Sequence, residues 1–259
     1  MDKKNILTHP IMLFFYPCML AGTIWYFLTP QDSGDLWSAR YVWYLLGPTV
    51  ATTYTFYVAR FYGFKGIEGQ VWTFLGAGMV LWTVAEWLFA YYDLAGVETF
   101  PSVADYFYIA GYVPFMLALA IKAKESLVKM DIRRVTAIAA SVFLMITITL
   151  IFLVDPVLDS EYDAYGKALS LLYPILDIAL VAFSIAIITA FWGGTVMPSG
   201  WIIVAGGMLV MTLADVIYSV VSWNYADFAQ VDLLWLLSYL MIMAGALYQK
   251  KLHESFMSE

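Results

Sequence analysis

Apolar residues run along this chain in eight blocks, each close to the roughly 20 residues that an α-helix needs to cross a bilayer. The blocks cover about residues 11–30, 39–61, 71–93, 103–122, 133–154, 165–192, 200–222 and 231–249. Proline and glycine punctuate the connections at Pro30, Gly63, Gly66, Gly96, Pro101, Pro156, Gly193, Gly194 and Pro198. Pro48, Pro114 and Pro174 fall inside blocks, where neighbouring helices can re-satisfy the backbone groups they free. The connections are too short to hold an extramembrane domain, so the pattern predicts a single polytopic membrane domain over residues 1–259.

The blocks are related in pairs. Gly78 to Glu86 reads GMVLWTVAE and Gly207 to Asp215 reads GMLVMTLAD, so Gly, Met, Thr and Ala recur in register and each copy ends in an acid. Downstream, Asp105 leads to Tyr108 and Tyr112, and Asp232 leads to Trp235 and Tyr239. Pro30 and Pro48 have counterparts in Pro156 and Pro174. This is the signature of an internal duplication. With four spans in each copy, repeat 1 (about 1–125) and repeat 2 (about 130–255) have the same orientation and are related by an axis along the membrane normal. The expected fold is an all-α integral membrane bundle of eight transmembrane helices, built as two parallel four-helix repeats.

Composition agrees: 63% of residues are hydrophobic and only 13% charged, half the usual share for a soluble domain. Eleven of the 13 Lys and Arg residues fall on one side of the predicted spans, leaving Arg40 and Lys167 on the other. The positive-inside rule then places both termini in the cytoplasm, and the protein in the cytoplasmic membrane. The outer loops carry acids, including Asp93, Glu98, Asp159, Glu161 and Asp163, so the net charge of −7 comes mainly from one side. The basic cluster from Lys122 to Arg134 reads as topology-setting and lipid-facing. One cysteine, Cys18, rules out an internal disulfide, and two histidines near the chain ends argue against a haem or a His-rich metal site. No metal site, no cofactor and no nucleic-acid partner is expected. Hydrolase, nucleotide-binding and zinc-protease signatures are missing.

Chemistry therefore falls to acids inside the spans. Glu86 and Asp215 lie roughly 10 Å below the outer surface, and Asp177 roughly 18 Å into its helix. An intramembrane carboxylate costs a few kcal/mol, so it should face the bundle interior and is a functional candidate by default. The bland alternative is a structural carboxylate tying helices together through Thr83, Thr212 or a tyrosine. Asp177 breaks the internal symmetry, because Ala51 holds the matching register. Lys167 is too far along that helix to pair with it, and Asp163, four residues before Lys167, is the expected partner. Asp105 follows Ser102 in a capping-box-like pattern, and Asp232 also sits in a first turn, so both have a capping role open to them. Asp105, Tyr108 and Tyr112 share one helix face, as do Asp232, Trp235 and Tyr239. Each face can line an outward-open cavity with an acidic rim and an aromatic wall, or serve as helix packing.

The blocks TVAEWLFAYY…PSVADYFYIAGYVPF, LLYPILDIAL and TLADVIY…VDLLWLLSYLMIMAGALY resemble the multi-helix membrane sensor module at the N-terminus of some bacterial and archaeal histidine kinases and diguanylate cyclases. The resemblance implies signalling to a cytoplasmic partner or fused output domain. Gly207 to Asp215 is also similar, more faintly, to the eight-helix lysoplasmalogenase-like family, which implies lipid hydrolysis with carboxylates as acid and base. The expected function is a ligand-binding or sensor module with an outward acidic, aromatic pocket for a small molecule or membrane lipid. An intramembrane lipid hydrolase using Glu86, Asp177 and Asp215 is the first alternative, and a small transporter the second.

Overall fold

A computed structural model describes residues 21, 23–28, 39–126, 131–191, 200–224 and 231–257. In them the apolar blocks become helices α1 (Ala39–Tyr62), α2 (Ile67–Leu94), α3 (Val103–Ser126), α4 (Ile132–Phe152), α5 (Val154–Asp159), α6 (Ala164–Phe191), α7 (Gly200–Asn224) and α8 (Asp232–Met257). Among the described residues six helices are long and apolar enough to cross a membrane: α2, α3, α4 running on through α5, α6, α7 and α8. The protein is thus an all-α membrane bundle. The first apolar block, about 11–30, lies largely outside the described residues.

Helix α1 has the length of a span, 24 residues, but is less apolar than those six. Its threonine hydroxyls are satisfied within the bundle. Thr49, Thr53 and Thr55 donate to carbonyls one turn back in the same helix, and Thr52 meets Thr83 of α2 at 2.8 Å. These bonds let hydroxyls sit at a helix interface without facing lipid unsatisfied.

Packing follows a closed circuit: α1 on α2, α2 on α3, α3 on α6, α6 on α7, α7 on α8, and α8 back on α1. Outside the circuit, α4 packs on α6 and buries no residue, leaving Phe143, Leu144, Leu150 and Ile151 exposed for lipid. Small residues set the close approaches. A Cβ on Gly111 of α3 would come 2.3 Å from the Trp82 ring of α2, and one on Gly78 would come 2.5 Å from Phe115. Trp82 seals the first contact by donating Nε1–H to the Tyr108 carbonyl at 2.8 Å. The α7–α8 interface is built alike, with Gly207 against Met241 and Ile242, and Ser238 against Met211.

One end of the circuit is basic. Lys122, buried on α3, pairs with Glu68 of α2 and with Glu125, and lies 5.5 Å over the Trp201 ring. The lipid-facing expectation for this residue is therefore wrong. An ammonium at that depth is stabilised better by a carboxylate and an indole face than by lipid. Trp201 in turn packs on Trp72 at a ring separation of 4.5 Å, both fully buried, so indoles from α2 and α7 meet across the inside of the circuit.

Helix α8 continues to Met257, eight residues past the predicted end of its apolar block. Charge does not stop it, because Lys250 lies 4.8 Å over Phe61 of α1 and pairs with Glu254 one turn on. At the opposite end Lys167 also departs from expectation. Asp163 accepts the backbone N–H of Gly166 at 2.8 Å as a helix cap, and Lys167 donates instead to the Leu158 carbonyl at 2.6 Å.

Overpacking at the α2–α3 contact should be costly. Gly111→Leu is expected to lower stability by about 1–3 kcal/mol, read as a lower melting temperature in detergent. Gly66→Ser, placed at a helix start with open space around the added atom, should leave the melting temperature unchanged or slightly higher. Equal melting temperatures for the wild type and Gly111→Leu would contradict this packing.

Candidate functional site

Inside the circuit, away from the basic end, lies a cavity of about 320 Å³. Helix α2 contributes Trp82, Glu86 and Phe89, and α3 contributes Asp105, Tyr108 and Tyr112. Ser170 and Tyr173 come from α6, and Trp235 and Tyr239 from α8. Helix α7 gives its longest face, from Met211 through Asp215 and Tyr218 to Ser219, Ser222 and Trp223. Thr99, Phe100 and Tyr162, from the connections before α3 and α6, complete the lining at the loop end.

The carboxylates here are held by aromatic donors on other helices or turns. Tyr239 of α8 donates to Glu86 of α2 at 2.7 Å, and Trp235 donates its indole N–H to Asp215 of α7 at 2.7 Å. Tyr173 of α6 donates to Asp105 of α3 at 2.7 Å, and Tyr112 of α3 donates to Asp177 of α6 at the same distance. Outside the cavity the pattern repeats, with Tyr41 on Asp93 at 2.7 Å and Tyr26 on Asp232 at 2.8 Å. A phenol or indole suits this task. It carries a strong donor on an apolar body, so it solvates a carboxylate without bringing a second charge into the bilayer.

Seven of the nine residues singled out from sequence line the cavity: Glu86, Asp105, Tyr108, Tyr112, Asp215, Trp235 and Tyr239. The other two do not. Asp177, 1% exposed, is set behind Tyr112, whose phenol donates to it. Asp232 is buried at the start of α8 under Tyr26. Asp105 both caps and lines: its carboxylate takes the Ser102 backbone N–H at 2.7 Å as well as the Tyr173 phenol. Glu86 and Asp215 are bonded through an aromatic ring from α8, while Thr83 and Thr212 donate to carbonyls of their own helices.

Sequence reasoning passed over several lining residues whose spacing was informative. Trp82 and Phe89 stand four before and three after Glu86, and Tyr218, Ser219 and Ser222 stand three, four and seven after Asp215, all on the face of the acid. Tyr173 is one turn before Asp177. Phe100, Tyr162 and Trp223 carried no such signal. They meet only because two connections fold against the end of α7, with Tyr162 5.4 Å from Phe100 and 5.6 Å from Trp223.

The cavity draws on α6, and no described residue of α1 lines it. Helix α6 enters it with Tyr173, whereas α1 has Gly47 at the matching position and closes directly on α8, a Cβ there coming 3.1 Å from Leu236. Among the described residues no group of three His, Cys, Asp or Glu is arranged to hold a metal ion. Among the described residues no lysine, arginine or histidine lines the cavity. Chemically, the arrangement offers hydrogen-bond acceptors, aromatic faces and a few hydroxyls. No family model, curated protein or solved structure matches the chain.

Proposed function

We propose that this protein is a membrane sensor module: a ligand enters the acidic, aromatic cavity from the outer side, and α3 and α8 carry its occupancy to the cytoplasmic end. The observation that carries this reading is the course of those two helices. Each presents an aromatic wall to the cavity, through Tyr108 and Tyr112 or through Trp235 and Tyr239, and then runs without a break to the basic end. There α3 carries the Lys122–Glu68 contact in its last turns, and α8 passes through Gln249 and Lys250 before ending at Met257. Gln249 accepts the Gly200 N–H of α7 at 2.8 Å, while its carbonyl accepts the Tyr62 phenol of α1 at 3.2 Å. A tilt of α8 at the cavity would thus be felt by two other helices at the far end.

The same proposal includes eight spans in two parallel halves. The packing order α1–α2–α3 recurs as α6–α7–α8, and Trp72 and Trp201, which hold corresponding places in the two sequence copies, stack on each other. The contact of Gly111 with Trp82 likewise has its counterpart in Ser238 with Met211. A second reading, carboxylate-driven hydrolysis of a lipid, is favoured by Glu86 and Asp215 lining one cavity.

Two experiments bear on this. Joined after Met257 to a histidine-kinase core, the chain should set a basal level of autophosphorylation, and filling the cavity with Ser219→Trp should shift that level at least about threefold. An unchanged level in folded protein would defeat the relay. Release of aldehyde from a vinyl-ether lysophospholipid by purified protein, lost in Asp215→Asn, would favour the hydrolase instead. For orientation, in a background lacking Cys18, a membrane-impermeant maleimide added to intact cells should label Glu98→Cys, beside the cavity. It should reach Lys65→Cys, at the basic end, only after lysis. The opposite labelling pattern would turn the cavity toward the cytoplasm.

A further inference from the structure

We propose that the cavity takes an organic cation with an apolar body, of the alkylammonium class. The proposal rests on reading the cavity as a ligand site, and it names what that site selects.

Charge is the first ground. Glu86, Asp105 and Asp215 line one space of about 320 Å³, and among the described residues no basic side chain lines it. Their protein partners there are neutral donors, and among the described residues Asp215 is bonded through one oxygen only, to Trp235. An anion would meet three acids and no cation. An uncharged apolar molecule would strip water from the carboxylates and return nothing to them. A cation restores what desolvation removes.

The walls decide what kind of cation. Aromatic rings dominate the lining, and ring faces attract alkylated ammonium groups, which carry their charge on a greasy surface. Trp82 and Tyr112 pack edge to face at 5.3 Å, and Trp235 and Tyr218 stand 5.5 Å apart, so rings stand beside both Glu86 and Asp215. A bare metal ion is disfavoured by the same facts, since it needs six or so oxygens in a close shell. The volume lies at the small end of ligand pockets. The ammonium would sit near Glu86 and Asp215, with the body toward Phe100 and Tyr162.

The test uses the purified full chain in non-ionic detergent, with tryptophan fluorescence and melting temperature as readouts. The probes are choline and hexyltrimethylammonium, set against neutral carbon isosteres in which a quaternary carbon replaces the nitrogen. Saturable changes with the cations, and at least tenfold weaker ones with the isosteres, are expected. Ser222→Lys, an exposed position on the lining, should weaken cation binding at least tenfold at an unchanged melting temperature, while Ser222→Glu should not weaken it. Equal or tighter binding of the isosteres overturns the cation assignment and leaves the cavity a ligand site. Unaltered cation binding in Ser222→Lys also overturns it, by placing the cation elsewhere. Silence with all four probes removes both the assignment and the ligand-site reading.

Discussion

A carboxylate inside a bilayer must be solvated by the protein, and most of this fold follows from how that is done. The cavity acids are met by phenols and an indole from elsewhere in the bundle: Tyr239 on Glu86, Trp235 on Asp215 and Tyr173 on Asp105, with Tyr112 on Asp177 behind them. Three of these four bonds join helices distant in sequence: two tie α3 to its neighbour α6, and the third reaches across the circuit from α8 to α2. They fix the rotation of α2, α3, α6 and α8 about their own axes. A salt bridge in the same place would demand a second desolvated charge, with its own penalty. The aromatic donor avoids that, and its ring supplies the wall of the cavity at the same time.

Small residues make this geometry reachable. Tyr108 and Tyr112 face the cavity because α3 lies close against α2, and α3 lies close because Gly111 admits the Trp82 ring. On the other side Gly47 lets α1 approach α8, which leaves the open space on the α6 side of the circuit. Packing driven by small side chains, rather than by hydrophobic burial, is the usual condition for helices in lipid.

Helix positions were legible in the sequence because apolar runs are dictated by the solvent, one helix at a time. The ends of α8 and α3 were not, since Lys250 and Lys122 look like stop signals until Phe61, Glu68 and Trp201 are seen beside them. The same division holds for the site. Glu86, Asp215 and their aromatic companions share helix faces, and periodicity exposes a face. Asp177 and Asp232 carry equally suggestive chemistry, yet which of them is covered depends on Tyr112 and Tyr26 arriving from other helices, and no local pattern encodes that. The loop-end lining, made where two connections meet the end of α7, was invisible for the same reason.

The stacked indoles of Trp72 and Trp201 have an electrical consequence. They lie fully buried between the cavity and the basic end, with Leu75, Met79 and Met208 also buried nearby in the core. Water filling the cavity from its loop end would meet this apolar layer before the basic end. Because water conducts and such a layer does not, a transmembrane voltage would then fall mainly across the short apolar layer instead of the full thickness of the bundle. A charge at Glu86 or Asp215 then experiences only a fraction of the roughly 2.3 kcal/mol per 100 mV that a full crossing would involve. The chemistry of the cavity would thereby be insulated from swings in membrane potential, and the same layer would let a polar space sit deep in the bilayer without becoming a leak.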